Sequence, residues 1–222
     1  DQVGIQPLSE TEAFLTRVRS KLQAARTEEP AEHHDENASS SSEAPLSAAD
    51  YDTSVDESRL EILNNSLQVR PEGFVSNSKL ENILKRRSDN FRKPNGIDWG
   101  QAESLAFASI LEEGTAIRMS GQDSERGTFG HRNLVLHDIN TNQTYCPMQK
   151  LTEAKASFAV YNSALSEAAV LGFEYGYSLH AKDTLVLWEA QFGDFVNAAQ
   201  VVMDQFISSG IAKWHSSPSL TL

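Results

Sequence analysis

The chain has 222 residues, 39% of them hydrophobic and 23% charged, which is enough for one core of domain size with an attached arm and argues against wholesale disorder. A formal net charge of −12 speaks against nucleic acid as a partner, because phosphate binding draws on clustered Lys and Arg. The single cysteine, Cys146, excludes an internal disulfide, and no run approaches the roughly 18 apolar residues of a membrane span, so no membrane partner is expected.

Residues 10–26 place Ala13, Phe14, Val18, Leu22 and Ala25 at helical spacing with Arg17, Arg19, Lys21 and Arg26 between them, which predicts an amphipathic helix. Residues 27–50 hold seven acidic residues, no Lys or Arg and a run of four serines. Such a stretch cannot offset its ordering entropy and reads as a flexible linker, with His33 and His34 solvated rather than metal-bound. A short helix is expected over 57–67 and a turn at Pro71-Glu72-Gly73-Phe74. Ser78 is the expected cap of a helix over 79–91, whose Lys85-Arg86-Arg87 run reads as a solvated basic face or, less simply, a phosphate contact.

Next come a helix over 99–113 stopped by Gly114, a short strand over 116–120, and a hairpin of 134–138 with 144–147 about Asn140-Thr141-Asn142. A helix over 166–179, apolar nearly all round, precedes a buried strand over 184–188. A helix over 196–207 follows, stopped by Ser208-Ser209-Gly210, and 219–222 begins a further strand. Asp1 in place of Met, and an apolar run at the other end, make both ends read as internal. Helices alternating with continuous apolar strands predict a mainly parallel sheet covered on both faces, an α/β fold. Ligands of such sheets gather at the carboxyl ends of the strands, which points to the loops after Ser120 and after Trp188.

Three stretches carry the unusual residues. Glu167 follows the candidate cap Ser166 and precedes six apolar residues, so it is committed either to the helix dipole or to a specific partner in a buried helix end. In Trp188-Glu189-Ala190-Gln191-Phe192-Gly193-Asp194-Phe195 the aromatics serve the core or stack on a flat ligand ring. The loop over 120–132 gathers two acids, two arginines and His131, which suits a proton donor or an anion contact. No GxGxxG, Walker loop, CxxC pair or HExxH occurs, so nicotinamide, nucleoside triphosphate and structural zinc readings lack support.

The strings GIDWGQAE (96–103), SGQDSERGTFGHR (120–132), LSEAAVLGFEYGY (165–177), WEAQFGDF (188–195) and DQFISSG (204–210), with PEGF (71–74) before them, resemble the decarboxylating component of 2-oxoglutarate dehydrogenase. The resemblance implies a transketolase-like fold and a domain that receives the aminopyrimidine ring of thiamine diphosphate. It divides the chain into an amphipathic helix (1–26), an acidic linker (27–50), a helical lead-in (51–95) and a pyrimidine-binding α/β domain truncated at its C-terminal end (96–222). By position, Glu167 matches the glutamate that activates the cofactor, Leu165 a residue whose backbone lies against the pyrimidine, and Gln191 and Phe195 the residues that flank and stack on it. His131 matches a histidine near the substrate.

The sequence departs from the family at Asn133, Ala164 and His215, where a histidine, a proline and a glycine are usual. The family's diphosphate and magnesium site, a Gly-Asp-Gly motif with a later Asn, is absent, so no metal ligand is expected in these residues. The implied activity is decarboxylation of 2-oxoglutarate in the tricarboxylic acid cycle, with the succinyl group passed to the lipoyl domain of dihydrolipoyl succinyltransferase beside dihydrolipoyl dehydrogenase. The implied assembly is a homodimer, in a bacterial cytoplasm or a mitochondrial matrix. A longer substrate such as 2-oxoadipate, or a non-catalytic assembly module of the same fold, are the other readings.

Overall fold

A computed structural model describes residues 51–222 throughout and, before them, scattered residues between 12 and 23, all helical. The chain divides into two units, Asp1–Asp52 and Thr53–Leu222. Much of the helix expected over 10–26 and the whole linker expected over 27–50 lie outside the described residues.

In the second unit each early helix begins at a side-chain cap. Asp56 accepts from the amide of Ser58 at the start of α1 (Glu57–Leu67), and Asp98 accepts from Gln101 at the start of α3 (Trp99–Glu113). Helix α2 (Ser78–Asn90) is capped by Asn77, whose Oδ1 lies 2.9 Å from the amide nitrogen of Lys79. Ser78, the expected cap, is therefore the first helical residue: the backbone of Asn77 is still outside the helical region and aims the side-chain amide oxygen at the free N–H groups. Gly114 ends α3 in the left-handed region at φ +104°, which suits a residue without Cβ.

The main sheet has four parallel strands in the order β4-β1-β5-β6: β1 Ala116–Gly121, β4 Phe158–Asn162, β5 Thr184–Glu189 and β6 Leu220–Thr221. Alternation along these strands sorts side chains onto two faces. Ile117, Met119, Phe158 and Val160 join Leu63, Leu105, Ala108 and Leu111 in one core, beneath α1 and α3. Trp188 packs on the other face with Leu171, Ala199 and Val202, beneath α4 (Glu167–His180) and the segment after β5. Strand β4 is missing from the sequence reading. It is short and ends in exposed Tyr161 and Asn162, and a loop with a small hairpin stands between β1 and β4 where alternation would put a helix.

Three further expectations change. The hairpin has only two residues in each strand, β2 Leu136–His137 and β3 Thr144–Tyr145, because Asp138 takes over the turn. Its carboxylate accepts from the amides of Val75 (2.7 Å), Asn140 and Thr141 (both 2.8 Å), and these bonds hold its pKa at about 2. The helix expected over 196–207 is a 3-10 segment Gly193–Ala199, a single α turn α5 (Gln200–Val202) and a π turn Met203–Ile207. The amide and hydroxyl of Ser208 both donate to the carbonyl of Met203, five residues back, which fixes the wider turn. Helix α6 (Gly210–Trp214) then leads to β6.

Nor is α4 apolar all round. Glu174 is 1% exposed and chelated by Arg118 from β1 (Nε to Oε2 and Nη2 to Oε1, both 2.8 Å), with the Ser120 hydroxyl donating to the same carboxylate at 2.9 Å. The carboxylate holds the Arg118 pKa above its ordinary value, and the guanidinium lies over the rings of Tyr161, Phe173 and Tyr177 at 4.7–5.3 Å. Phe173 and Tyr177 are themselves exposed, so α4 turns an aromatic stripe outward.

Candidate active site

Strands β4, β1 and β5 run in one direction, with Gly121 paired to Asn162 on one side and to Glu189 on the other, so the chain leaves all three at one edge of the sheet. Three segments meet there: the polar loop after β1, the turn from β4 into α4, and the turn after β5. A Cβ on Gly121 would collide with the carbonyl of Glu189 and stand 2.6 Å from the hydroxyl of Ser124, so only glycine lets the two strand ends lie this close.

Glu167 is the first residue of α4 and is half-buried rather than sealed in a helix end, because Ala168 and Ala169 beside it face outward. Its Oε1 accepts from Nε2 of Gln122, 2.7 Å away, immediately beyond β1. Gln122 is buried, and its own Oε1 has no partner. Ser166, the candidate cap, makes no side-chain capping bond, so the carboxylate of Glu167 is the acceptor placed in the first turn.

Glu167 borders two clefts. Gln122, Ser163, Ala164, Trp188, Glu189 and Gln191 share the first with it, a tight crevice rather than an open cavity. Asp194, Phe195, Asn197 and Ala198 share the second, about 600 Å³. The structure thus brings Glu167 to Gln191 and Phe195, which lie together in a second, distant stretch of sequence. Leu165 borders neither cleft; its side chain is 83% exposed, and Ser163 and Ala164 line the wall instead. His131 also stands apart from both. Its ring packs over Gly127, where a Cβ would approach Cε1 to 2.5 Å, and its Nδ1 is buried without a partner. A chain of rings joins it to the site, with centroids 6.3 Å apart from His131 to Phe129, 6.3 Å from Phe129 to Phe192 and 5.4 Å from Phe192 to Phe195.

The polar loop is held by two buried arginines. Arg132 donates to Glu103 at 2.7 and 2.9 Å, to the carbonyl of Ser124 at 3.1 Å, and to both oxygens of Glu189. Burial works against its charge, but Glu103 and Glu189 hold its pKa above the ordinary arginine value. Arg87 chelates Asp98 at 2.8 and 2.9 Å and donates to the carbonyl of His131 at 2.5 Å. This corrects the reading of Lys85-Arg86-Arg87 as one solvated face: Lys85 and Arg86 are exposed, whereas Arg87 is 7% exposed and belongs to the frame of the loop. Thr128 closes the loop onto the turn after β5, its hydroxyl donating to the carbonyl of Gln191 at 3.2 Å.

Gly100, in the first turn of α3, gives the loop room. A Cβ there would strike the carbonyl of His131 and lie 2.6 Å from Nη2 of Arg87. Gly100→Ala is expected to destabilise the chain by about 1–3 kcal/mol despite the better helix propensity of alanine, as overpacking does. Equilibrium urea unfolding checks this, and a variant as stable as the parent would show that the loop yields freely.

Sequence reasoning gave no individual role to Gln122, Glu189 or Arg132. The signal for Gln122 was its place directly after an apolar strand end, and the signal for the other two was charge at positions whose neighbours are buried.

Residues 95–220 match the family model for the transketolase pyrimidine-binding domain. The chain belongs to that family. Among curated relatives, a 2-oxoglutarate dehydrogenase E1 component from Exiguobacterium sp. (strain AT1b) is 48% identical over 222 residues, covering 100% of this chain and 23% of the relative. Proteins of the same name are similar from Oceanobacillus iheyensis, 56% identical over 172 residues (78% of this chain, 18% of the relative), and from Shouchella clausii, 57% over 170 (77% and 18%). The chain therefore spans about a fifth of the length of the curated relatives it matches. Among the described residues, no helix is long and apolar enough to cross a membrane, and no three His, Cys, Asp or Glu side chains cluster to hold a metal ion.

Proposed function

We propose that this chain forms the aminopyrimidine half of a thiamine diphosphate site, and that within a full-length enzyme it takes part in the oxidative decarboxylation of 2-oxoglutarate. The observation that carries the reading is the meeting of Glu167 with Gln122, Gln191 and Phe195 at the carboxyl edge of the sheet. These residues suit a flat, amine-bearing heterocycle. Glu167 offers a carboxylate to a ring nitrogen, the unpartnered Oε1 of Gln122 accepts from an N–H donor, and Phe195 offers a ring face. When bound, thiamine diphosphate supplies the electron sink for loss of carbon dioxide from a 2-oxo acid.

The chain's own residues bind and orient. Gln122 holds Oε1 of Glu167, leaving Oε2 for the ring nitrogen, and a carboxylate so placed holds a proton at that nitrogen as the cofactor is activated. Gln191 would flank the ring and the backbone at Leu165 would lie against it from outside the two clefts, and His131 would act on the substrate side through the loop that Arg87 and Arg132 secure. The diphosphate and its magnesium ion are held by residues elsewhere in the enzyme, across a homodimer interface. The succinyl group passes to the lipoyl domain of a dihydrolipoyl succinyltransferase that works with a dihydrolipoyl dehydrogenase, in the cytoplasm. The domain boundaries proposed with this reading are a helix over 1–26, a linker over 27–50, a helical lead-in over 51–95 and the pyrimidine-binding domain over 96–222.

The test is release of carbon dioxide by a full-length enzyme carrying this chain, with and without thiamine diphosphate and magnesium, on 2-oxoglutarate and 2-oxoadipate. Cofactor-dependent turnover with 2-oxoglutarate as the better substrate is expected. Turnover confined to 2-oxoadipate would reassign the substrate, and none with either acid would leave a scaffold of the same fold.

A further inference from the structure

Away from the Glu167 clefts, a third cleft opens between α1, α2, α3 and the lead-in to the hairpin. It is narrow and half open to solvent, and its lining holds three arginines and no acidic residue. Two of the arginines, Arg87 and Arg132, are already committed to Asp98, Glu103 and Glu189. The third is not. Arg70 caps the carbonyls of Leu67 and Val69 through Nη1 at 2.8 and 3.0 Å, forms no salt bridge among the described residues, and leaves Nε buried without a partner.

Facing the same cleft, Gln101 is 3% exposed and unevenly satisfied. Its Nε2 donates to Oδ1 of Asn64 at 2.9 Å and to the carbonyl of Arg87 at 3.2 Å, whereas its Oε1 has no partner. A buried amide oxygen without a donor is costly, and a half-buried guanidinium with no ion-pair partner among the described residues adds to that cost. Burial pushes the Arg70 pKa down, and Glu81 is the nearby carboxylate whose field opposes the shift. The remaining wall is apolar, from Leu67, Leu84, Leu134 and Met148.

We infer that this cleft binds a small oxyanion carrying its own O–H, its charge against Arg70 and its hydroxyl donating toward Gln101. Hydrogen phosphate and a short 2-hydroxycarboxylate both have this chemistry; a fully deprotonated anion or a neutral alcohol has only half of it. The site is distinct from the Glu167 clefts, and its occupancy does not depend on thiamine diphosphate, so its failure and that of the cofactor reading are separable.

Calorimetric titration and melting curves of the chain test it, with inorganic phosphate, glycolate and sodium chloride at matched ionic strength and neutral pH. Saturable binding and a raised melting midpoint are expected with phosphate, glycolate or both, the two arms telling the sources apart, and no shift is expected with chloride. Arg70→Met is expected to weaken binding at least about tenfold, the scale of one lost charge-assisted hydrogen bond. Because Arg70 also caps α1, two gentler variants accompany it. Ser104→Leu fills the cleft from α3 and leaves Arg70 in place, and Arg70→Lys keeps the charge without the planar fork. With native circular dichroism retained, Ser104→Leu is expected to abolish binding and Arg70→Lys to weaken it. Equal shifts in parent and Ser104→Leu, equal shifts with chloride, or no binding of either anion by the parent would overturn the assignment.

Discussion

Glu167→Gln, in a full-length enzyme carrying this chain, is expected to lower cofactor-dependent turnover of 2-oxoglutarate about 10²–10⁴-fold at saturating thiamine diphosphate, the range for loss of a positioned proton-handling group. The fold stays intact. Glutamine keeps the size and one acceptor of glutamate, and Glu167 is half-buried in the first turn of α4, so the stability cost is no more than the helix-dipole contribution of about 0.3–1 kcal/mol. Glu167→Ala removes the acceptor of Gln122 as well and is expected to lose as much activity with a somewhat larger stability cost. Gln122→Leu separates positioning from proton handling. It leaves the carboxylate but frees its orientation, so turnover is expected to fall about tenfold, one hydrogen bond's worth, with the pH profile displaced. Turnover of Glu167→Gln within a factor of a few of the parent's would remove this carboxylate from the chemistry and leave the cleft as a docking shape only.

The limits of sequence reading follow physical lines. Helices α1 and α3 were legible because caps, glycine stops and apolar spacing are local signals, and β5 because a strand buried on both faces is continuously apolar; β1 showed through the alternation of Ile117 and Met119 with Arg118 and Ser120 after the stop at Gly114. Strand β4 was not, since its last two residues face outward and it is an edge strand whose single neighbour, β1, is far away in sequence. The breakup of 193–207 depends on one serine bonding five residues back, a preference that periodicity does not report. At the candidate site, Glu167, Gln191 and Phe195 were named through resemblance; composition alone left each with an ordinary core or capping role. Their meeting is a property of parallel strands ending at one edge. The partners that hold them, Gln122 on Glu167 and Arg132 on Glu189, are long-range pairs, and an ion pair across 57 residues leaves no periodic trace. Glu174 is the sharpest case. Its apolar neighbours predicted a greasy helix, whereas its burial is tolerated only because β1 delivers Arg118 and Ser120 to it.

The largest stability effect is expected at Arg132, whose side chain is 2% exposed between carboxylates that are 29% and 30% exposed. Replacing both halves of a buried ion pair with apolar residues is often neutral, whereas removing one half strands the other. Arg132→Met does the second, and does it twice: Glu103 on α3 and Glu189 at the end of β5 are left facing each other across a space of lowered dielectric. A loss of about 3–5 kcal/mol in urea unfolding is expected. Part of it should return when either glutamate is made neutral by substitution, because that removes the repulsion in the variant. Adding Glu103→Gln to Arg132→Met is expected to restore part of the loss at neutral pH for the same reason, so the two changes are strongly non-additive. Arg132→Lys keeps a charge but reaches two carboxylates and the Ser124 carbonyl poorly from a single ammonium, and should fall between parent and Met. Activity in a full-length enzyme should drop alongside stability, since Glu189 and the polar loop border the clefts that Glu167 serves. A loss below about 1 kcal/mol for Arg132→Met, the value of an exposed pair, would mean that water reaches these carboxylates and that the loop is held by backbone contacts alone.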